Sequence, residues 1–148
     1  MTPVYLLDIE GTTTPISFVY DVLFPYARAQ LGSFLREQWD DPAVRAEAAS
    51  LGDSIDSAER AEEACLSLMD EDRKVGSLKT LQGRIWEAGY RSGQLRSQLF
   101  PDVPPMLRAR KAVGLRTYIY SSGSVLAQKL LFAHTPEGDL TGLLDGFV

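Results

Sequence analysis

Residues 8 to 14, Asp-Ile-Glu-Gly-Thr-Thr-Thr, follow directly on the apolar run Val4-Tyr5-Leu6-Leu7. An apolar run ending in two acids and a glycine has the pattern of a buried strand delivering carboxylates to a sheet edge. In open α/β sheets, ligands bind outside the carboxyl ends of the strands. Asp8 and Glu10, one residue apart on an extended chain, fall on the same side and can share a hard cation such as Mg2+. Gly11 permits a sharp turn after them, and the threonines add hydroxyls for a phosphate or for the loop itself. A second element lies far along the chain. Arg116 to Tyr120 is apolar enough for a buried strand, followed by Ser121-Ser122-Gly123-Ser124 and a helical stretch from Val125 to Phe132. Strand, Ser/Gly turn and helix N-terminus together form an anion site, because unpaired N–H groups and the positive end of the helix dipole face the ligand. Each element also has an ordinary alternative: acids that solubilise a turn, and a serine that caps a helix.

Those residues need a scaffold. Val4–Leu7 predicts a first strand, and Thr14-Pro15 a loop, since proline disfavours helix at the residue before it. Ser17 is an expected N-cap for a helix carrying Phe18, Val22, Leu31 and Leu35, with Pro25 restarting or kinking it. Asp40 or Asp41 is expected to cap a short helix from Pro42. Ala58, Ala61, Cys65, Leu68 and Met69 recur at helical spacing within 56–72. Lys79 to Ala88 predicts a further helix ended by Gly89. Residues 103–113 predict a helix that Asp102 can cap and Gly114 ends, with a third strand beginning near Gly146. Several helices without a strand thus interrupt a strand–helix alternation, the pattern of an inserted helical cap.

Composition narrows the partners. The 148 residues suit one domain and can bury roughly 70% of their unfolded surface. A net charge of −5 argues against a nucleic-acid groove or an anionic membrane as partner. It leaves a small phosphorylated substrate open, because a metal and a helix N-terminus set the local field. The single cysteine excludes an internal disulfide. No basic segment followed by a long apolar run opens the chain, and no stretch approaches the roughly 18 apolar residues of a membrane span. The expected location is the cytoplasm.

Asp8-Ile9-Glu10-Gly11-Thr12-Thr13-Thr14-Pro15-Ile16 and Tyr120-Ser121-Ser122-Gly123-Ser124 resemble the first and second motifs of the haloacid-dehalogenase-like phosphohydrolases. Glu10, where the general pattern has a second Asp, is similar to the enolase-phosphatase branch of methionine salvage. The likeness extends to Asp72-Arg73-Lys74, Leu81-Gln82-Gly83-Arg84-Ile85-Trp86, Phe100-Pro101-Asp102-Val103-Pro104-Pro105 and Ala127-Gln128-Lys129-Leu130-Leu131-Phe132.

The resemblance implies an α/β fold: a parallel Rossmann-like sheet formed by residues 1–14 and 99–148, with 15–98 as a helical cap. It implies a Mg2+-dependent phosphoric monoester hydrolase in which Asp8 is the nucleophile and forms an aspartyl-phosphate. Asp8 and Glu10 would bind the metal, with Glu10 alternatively a general acid or the enolisation base. Ser121, Ser122 and Gly123 would hold the phosphate, helped by Gly11 and Thr12. The implied substrate is 2,3-diketo-5-methylthiopentyl-1-phosphate, enolised and then dephosphorylated to an acireductone. Arg73, Lys74 or Lys79 could close over it, or be ordinary surface cations. His134 and Lys129 are expected to be surface or helix-end residues. Members of the family continue into a further lysine and aspartate, whereas this chain stops at Val148. A core incomplete at the C-terminus, marginal stability or self-association, and little activity are therefore expected, with a complete enzyme of this kind monomeric. Another phosphohydrolase or dehalogenase on the same scaffold, or a fragment that binds without turnover, are the alternatives.

Overall fold

The apolar run at the start of the chain forms β1 (Val4–Leu7), and Arg116–Ile119 forms β2 beside it. The computed structural model describes residues 3–148. The two strands run parallel, Val4 opposite Arg116 and Leu7 opposite Ile119. A short β3 (Gly146–Phe147) pairs parallel to the other side of β2, with Tyr118 opposite Gly146. The sheet order is β1-β2-β3, with β2 in the middle. Parallel neighbours require long crossovers, and helices supply them.

The crossover from β1 to β2 contains six helices. The first is α1 (Ile16–Phe18), which runs through a π-helical segment (Val19–Leu23) into α2 (Phe24–Glu37) without a break. Of the two outcomes expected at Pro25, a restart or a kink, the restart does not occur. Pro25 has no N–H to give the Asp21 carbonyl one turn back, and the backbone widens into the π turn just before it. The helix begins at Ile16 rather than after Ser17, and Pro15 occupies the cap position. Asp41 caps α3 (Pro42–Ala49), accepting from Ala43 N. Ser57 caps α4 (Ala58–Asp70).

Helix α5 (Gly76–Ser92) extends past Gly89 and ends at Gly93, whose φ of +83° is the left-handed conformation that closes a helix. Gly89 lies inside the helix because α2 packs there: an added Cβ would sit 2.7 Å from Tyr26 Cε1 and 2.9 Å from Leu95 Cδ1. Helix α6 (Val103–Ala112) follows, with Asp102 at its cap position but making no side-chain cap bond. Gly114, at φ +77°, turns the chain into β2.

After β2, α7 (Val125–Ala133) packs against α5, and the chain returns through a short 3-10 turn (Thr141–Leu143) to β3. One apolar cluster runs through both sets of elements, from Leu31, Ala61, Cys65 and Leu81 among the helices to Ile119, Leu131 and Phe132 at the sheet. Val4 and Leu6 on β1 remain 52% and 62% exposed. Parallel strands are ordinarily covered on both faces, and β1 is not. No described helix is long and apolar enough to cross a membrane.

Candidate active site

The carboxyl ends of β1 and β2 are adjacent, because Leu7 pairs with Ile119 and Tyr120 N donates to Leu7 O (2.9 Å). Asp8 and the Ser121–Ser124 loop therefore leave the sheet at the same edge. Beyond Leu7 the chain is not extended. The Ile9 carbonyl accepts from the amides of Thr12 (3.2 Å), Thr13 (3.1 Å) and Thr14 (2.9 Å), which folds residues 9–14 into a tight turn. Gly11 takes a φ of +76° there. Thr13 is buried and its hydroxyl donates to Asp8 O (3.0 Å), so this threonine fixes the loop. Asp8 Oδ1 accepts from Ile9 N (2.7 Å). Phe100 N donates to Thr13 O (2.9 Å), docking the returning segment on the same turn.

A cavity of about 510 Å3 opens at this edge. Glu10, Ser121, Ser122 and Gly123 line it, so one sequence-predicted carboxylate and the predicted phosphate loop share a wall. Asp8, Gly11 and Thr12 are exposed but are not among the lining residues. The chain bends at Ile9, between Asp8 and Glu10, and of these two carboxylates Glu10 is the one among the lining residues.

The opposite wall comes from the helices. Tyr20 of the π segment, Phe24 of α2, Met69 of α4, and Leu78 and Trp86 of α5 form an apolar surface. Phe24 lies tilted between Tyr20 and Trp86, at ring separations of 5.6 and 6.0 Å. Trp86 Nε1 donates to Leu23 O (2.9 Å), tying α5 to the π turn. Four cations, Arg28, Arg73, Lys74 and Lys79, face two acids, Glu10 and Asp72, around the rim. Arg28 is paired with Asp70 (2.9 Å) and Arg73 with Glu71 (3.8 Å), so Lys74 and Lys79 are the rim cations without a carboxylate partner among the described residues. Arg73, Lys74 and Lys79, singled out in the sequence, all lie here, and Lys79 Nζ donates to Ser122 O across the cavity (2.9 Å).

The loop after β2 has its own order. Ser124 caps α7, accepting from Ala127 N (3.1 Å), and Gly123 N donates to Ser121 Oγ (3.2 Å). Gln128, 1% exposed, reaches back beneath the loop. His134 stands away from the cavity, stacked on Tyr90 with ring centroids 5.0 Å apart, its Nδ1 3.0 Å from Leu130 O. Lys129 is an exposed residue of α7 outside this cavity.

For a divalent metal, the donor set is hard oxygen. Asp8 and Glu10 are exposed carboxylates, and neither makes an ion pair among the described residues. No three His, Cys, Asp or Glu side chains gather as a metal site among the described residues. Two carboxylates fit Mg2+, which commonly binds one or two carboxylates and completes its shell with water and substrate phosphate.

No family model matches the chain. Individual sequences do. An enolase-phosphatase E1 of Acidiphilium cryptum is 56% identical over 142 residues, covering 96% of this chain and 61% of that protein. Those of Gluconacetobacter diazotrophicus and Frankia alni are 51% and 54% identical over the same share of this chain, and 60% and 62% of their own lengths. Over the stretch of those sequences that it spans, the chain is similar to the enolase-phosphatase E1 proteins along nearly its whole length. It spans about three-fifths of the length of these curated relatives.

Among solved structures, the UTR4 protein of Saccharomyces cerevisiae superposes with a TM-score of 0.83 at 37% identity, over 99% of this chain and 66% of that one. CbbY of Rhodobacter sphaeroides, solved with xylulose-1,5-bisphosphate, superposes with a TM-score of 0.52 at 13% identity, over 99% of this chain and 63% of its own; that likeness shows the fold alone. The α/β fold with a parallel sheet, expected from the motifs, is the fold observed.

Among the cavity residues, Arg28, Tyr20, Phe24 and Met69 carry no local mark in the sequence. They read as helix-face residues along the chain, and only tertiary packing gathers them. Gln128 did carry a signal: with Lys129 it interrupts the apolar run Val-Leu-Ala-Gln-Lys-Leu-Leu-Phe, and it stands four residues after the capping serine.

Proposed function

We propose that the protein is a phosphoric monoester hydrolase of the enolase-phosphatase type. Its substrate would be 2,3-diketo-5-methylthiopentyl-1-phosphate, converted to an acireductone in methionine salvage. The observation that carries this reading is the two-walled cavity. One wall holds Glu10 and the Ser121–Gly123 loop, and the other is apolar with cations at its rim. A molecule with a phosphate at one end and an apolar thioether at the other matches both walls. Residues 15–98 would act as the cap and 1–14 with 99–148 as the core.

Asp8 attacks phosphorus, the P–O ester bond breaks, and the substrate oxygen leaves with a proton. Water then breaks the aspartyl–phosphate bond and regenerates Asp8. Ser121, Ser122 and the Gly123 backbone hold the phosphoryl oxygens, with Gly11 and Thr12 as further donors. Glu10, on the cavity wall, is the carboxylate placed to move protons during enolisation and to the leaving oxygen. Asp8 and Glu10 would hold Mg2+, whose charge would offset that of the phosphoryl oxygens. Lys74 and Lys79 add positive charge at the same rim, where preorganised charge stabilises phosphoryl transfer.

The test is phosphate release from the diketone phosphate with and without Mg2+, using Asp8→Asn as control. Release that requires both the metal and Asp8 supports the reading. Release that survives Asp8→Asn or a chelator refutes the mechanism. Folded protein that binds phosphate and releases none supports binding without turnover instead.

A further inference from the structure

Four consecutive carbonyls in the loop after β2 are each taken up by a donor. Ser121 O and Gly123 O accept from Gln128 Nε2 at 3.3 and 2.9 Å, Ser122 O from Lys79 Nζ at 2.9 Å, and Ser124 O from Gln128 N at 3.0 Å. Gln128 Nε2 also lies 3.3 Å from Val148 O, at the end of β3. Three of the four carbonyls are thus held by one residue. The amides of Ser122 and Ser124 donate to no protein acceptor among the described residues. Ser121 N donates to Val148 O (3.3 Å) and Gly123 N to Ser121 Oγ (3.2 Å), which leaves the Ser122 and Ser124 amides free. A loop with its carbonyls occupied and two amides free is receptive to anions, because carbonyl oxygens that would repel a phosphate are turned toward the protein.

Gln128 accepts a cost for this position. Its side chain is fully buried, and Oε1 has no partner among the described residues. A buried acceptor without a donor destabilises a fold, and a leucine would suit the neighbouring Leu130, Leu131 and Phe132 better. The donor side of the amide accounts for the residue.

We propose that Gln128 is a positioning residue for the phosphate grip: its side-chain amide pins the Ser121 and Gly123 carbonyls so that the loop amides face the cavity. It touches no reacting atom and acts through the loop. The inference rests on the reading of this loop as a phosphate holder.

The test uses the full 148-residue chain, with Gln128→Met, which keeps the shape and loses the donor, and Gln128→Glu, which presents a carboxylate to the same carbonyls. Two quantities are measured on folded samples: the dissociation constant for inorganic phosphate with Mg2+, and the hydrogen exchange of the Ser122, Gly123 and Ser124 amides without ligand. Gln128→Met is expected to bind phosphate about tenfold more weakly, the order of one lost buried hydrogen bond, and to exchange these amides faster while the core of α5 is unchanged. Gln128→Glu is expected to bind more weakly still at pH 8. Relative to wild type, it should recover as pH falls and the buried carboxyl regains an O–H donor, which Gln128→Met cannot do. Wild-type affinity and exchange in Gln128→Met overturn the inference alone. A wild-type protein that binds no phosphate overturns the phosphate reading of the loop, and the exchange data then decide separately whether Gln128 pins it.

Discussion

Two glycines of α5 should respond to alanine with opposite signs. A glycine inside a helix costs roughly 0.5–1 kcal/mol relative to alanine, so propensity alone predicts that Gly83→Ala and Gly89→Ala both stabilise. The surroundings differ. A Cβ on Gly83 would meet Leu126 Cδ2 at 3.6 Å and Ser124 Oγ at 3.8 Å, ordinary contacts. A Cβ on Gly89 would meet Tyr26 Cε1 at 2.7 Å, Tyr26 Oη at 2.8 Å and Leu95 Cδ1 at 2.9 Å. Neither neighbour can step aside freely. Tyr26 donates to Gln94 Oε1 at 2.7 Å, and Leu95 is buried with its amide bonded to Gly89 O at 3.0 Å.

Overpacking of this kind costs about 1–3 kcal/mol. Subtracting the propensity gain leaves Gly89→Ala destabilised by about 1 kcal/mol, while Gly83→Ala gains up to about 1. For a chain of this size each kcal/mol moves Tm by about 2–4 °C. Thermal or urea unfolding followed by circular dichroism separates the two. In a Tyr26→Leu background, which removes the ring from the clash, Gly89→Ala should lose most of its penalty, a coupling read from the double-mutant cycle. A rise in Tm for Gly89→Ala comparable to that of Gly83→Ala would refute the claim that close packing of α2 on α5 selects glycine there. The same contact sets the spacing of the helices that carry Phe24 and Trp86, so a destabilised Gly89→Ala should also disturb the apolar wall of the cavity.

Trp86→Phe removes the buried bond to Leu23 O while keeping most of the ring; a loss of about 1–2 kcal/mol is expected in urea unfolding. Asp145 is held below the usual carboxyl value, first by the Thr117 amide that donates to it and, against the effect of burial, also by Lys111. A depressed pKa contributes stability that is present above the ordinary carboxylate value of about 4 and lost as pH falls through the folded value. Asp145→Asn should therefore be less stable than wild type at pH 6 and show a shallower fall between pH 5 and 3, measured by denaturant titration. Cys65 is fully buried, and burial, then Glu62, push its thiol up to about 11. It should react with a thiol reagent at pH 8 far more slowly in the native protein than in denaturant, and equal rates would show that α4 opens readily.

The strands at 4–7 and 116–119 were legible because a short apolar run ended by turn residues is a local signal, and the acids and serines that follow are part of it. Helix ends were legible at Asp41 and Ser124, where a side chain makes the cap, and misread where it does not. Ser57 makes a cap that the sequence reading does not single out. Ser17 has the right chemistry, but Pro15 already starts the helix. Asp102 sits at a cap position without capping. Gly89 has the residue type of a helix end, yet its cause lies on another helix, sixty-three residues away at Tyr26. Pro25 was read correctly as a perturbation, but a proline does not announce whether a helix will break or widen.

The same distinction separates the two walls of the cavity. Glu10 and Ser121–Gly123 follow strand ends, and a parallel pairing of those strands is enough to bring them to one edge. Tyr20, Phe24, Met69 and Trp86 come from the π segment and three helices, and nothing in their local sequence separates an apolar residue facing a cavity from one facing the core. Asp8 shows the limit of the local argument from the other side. An extended chain would place it beside Glu10, but the Ile9 carbonyl collects three threonine-segment amides and bends the chain between them. For Asp8 and Glu10 to share one cation, their side chains must bridge that bend, and the longer arm of Glu10 gives it more reach than an aspartate at the same position would have. Glu10→Asp should accordingly weaken Mg2+-dependent phosphate release, even though it preserves the charge.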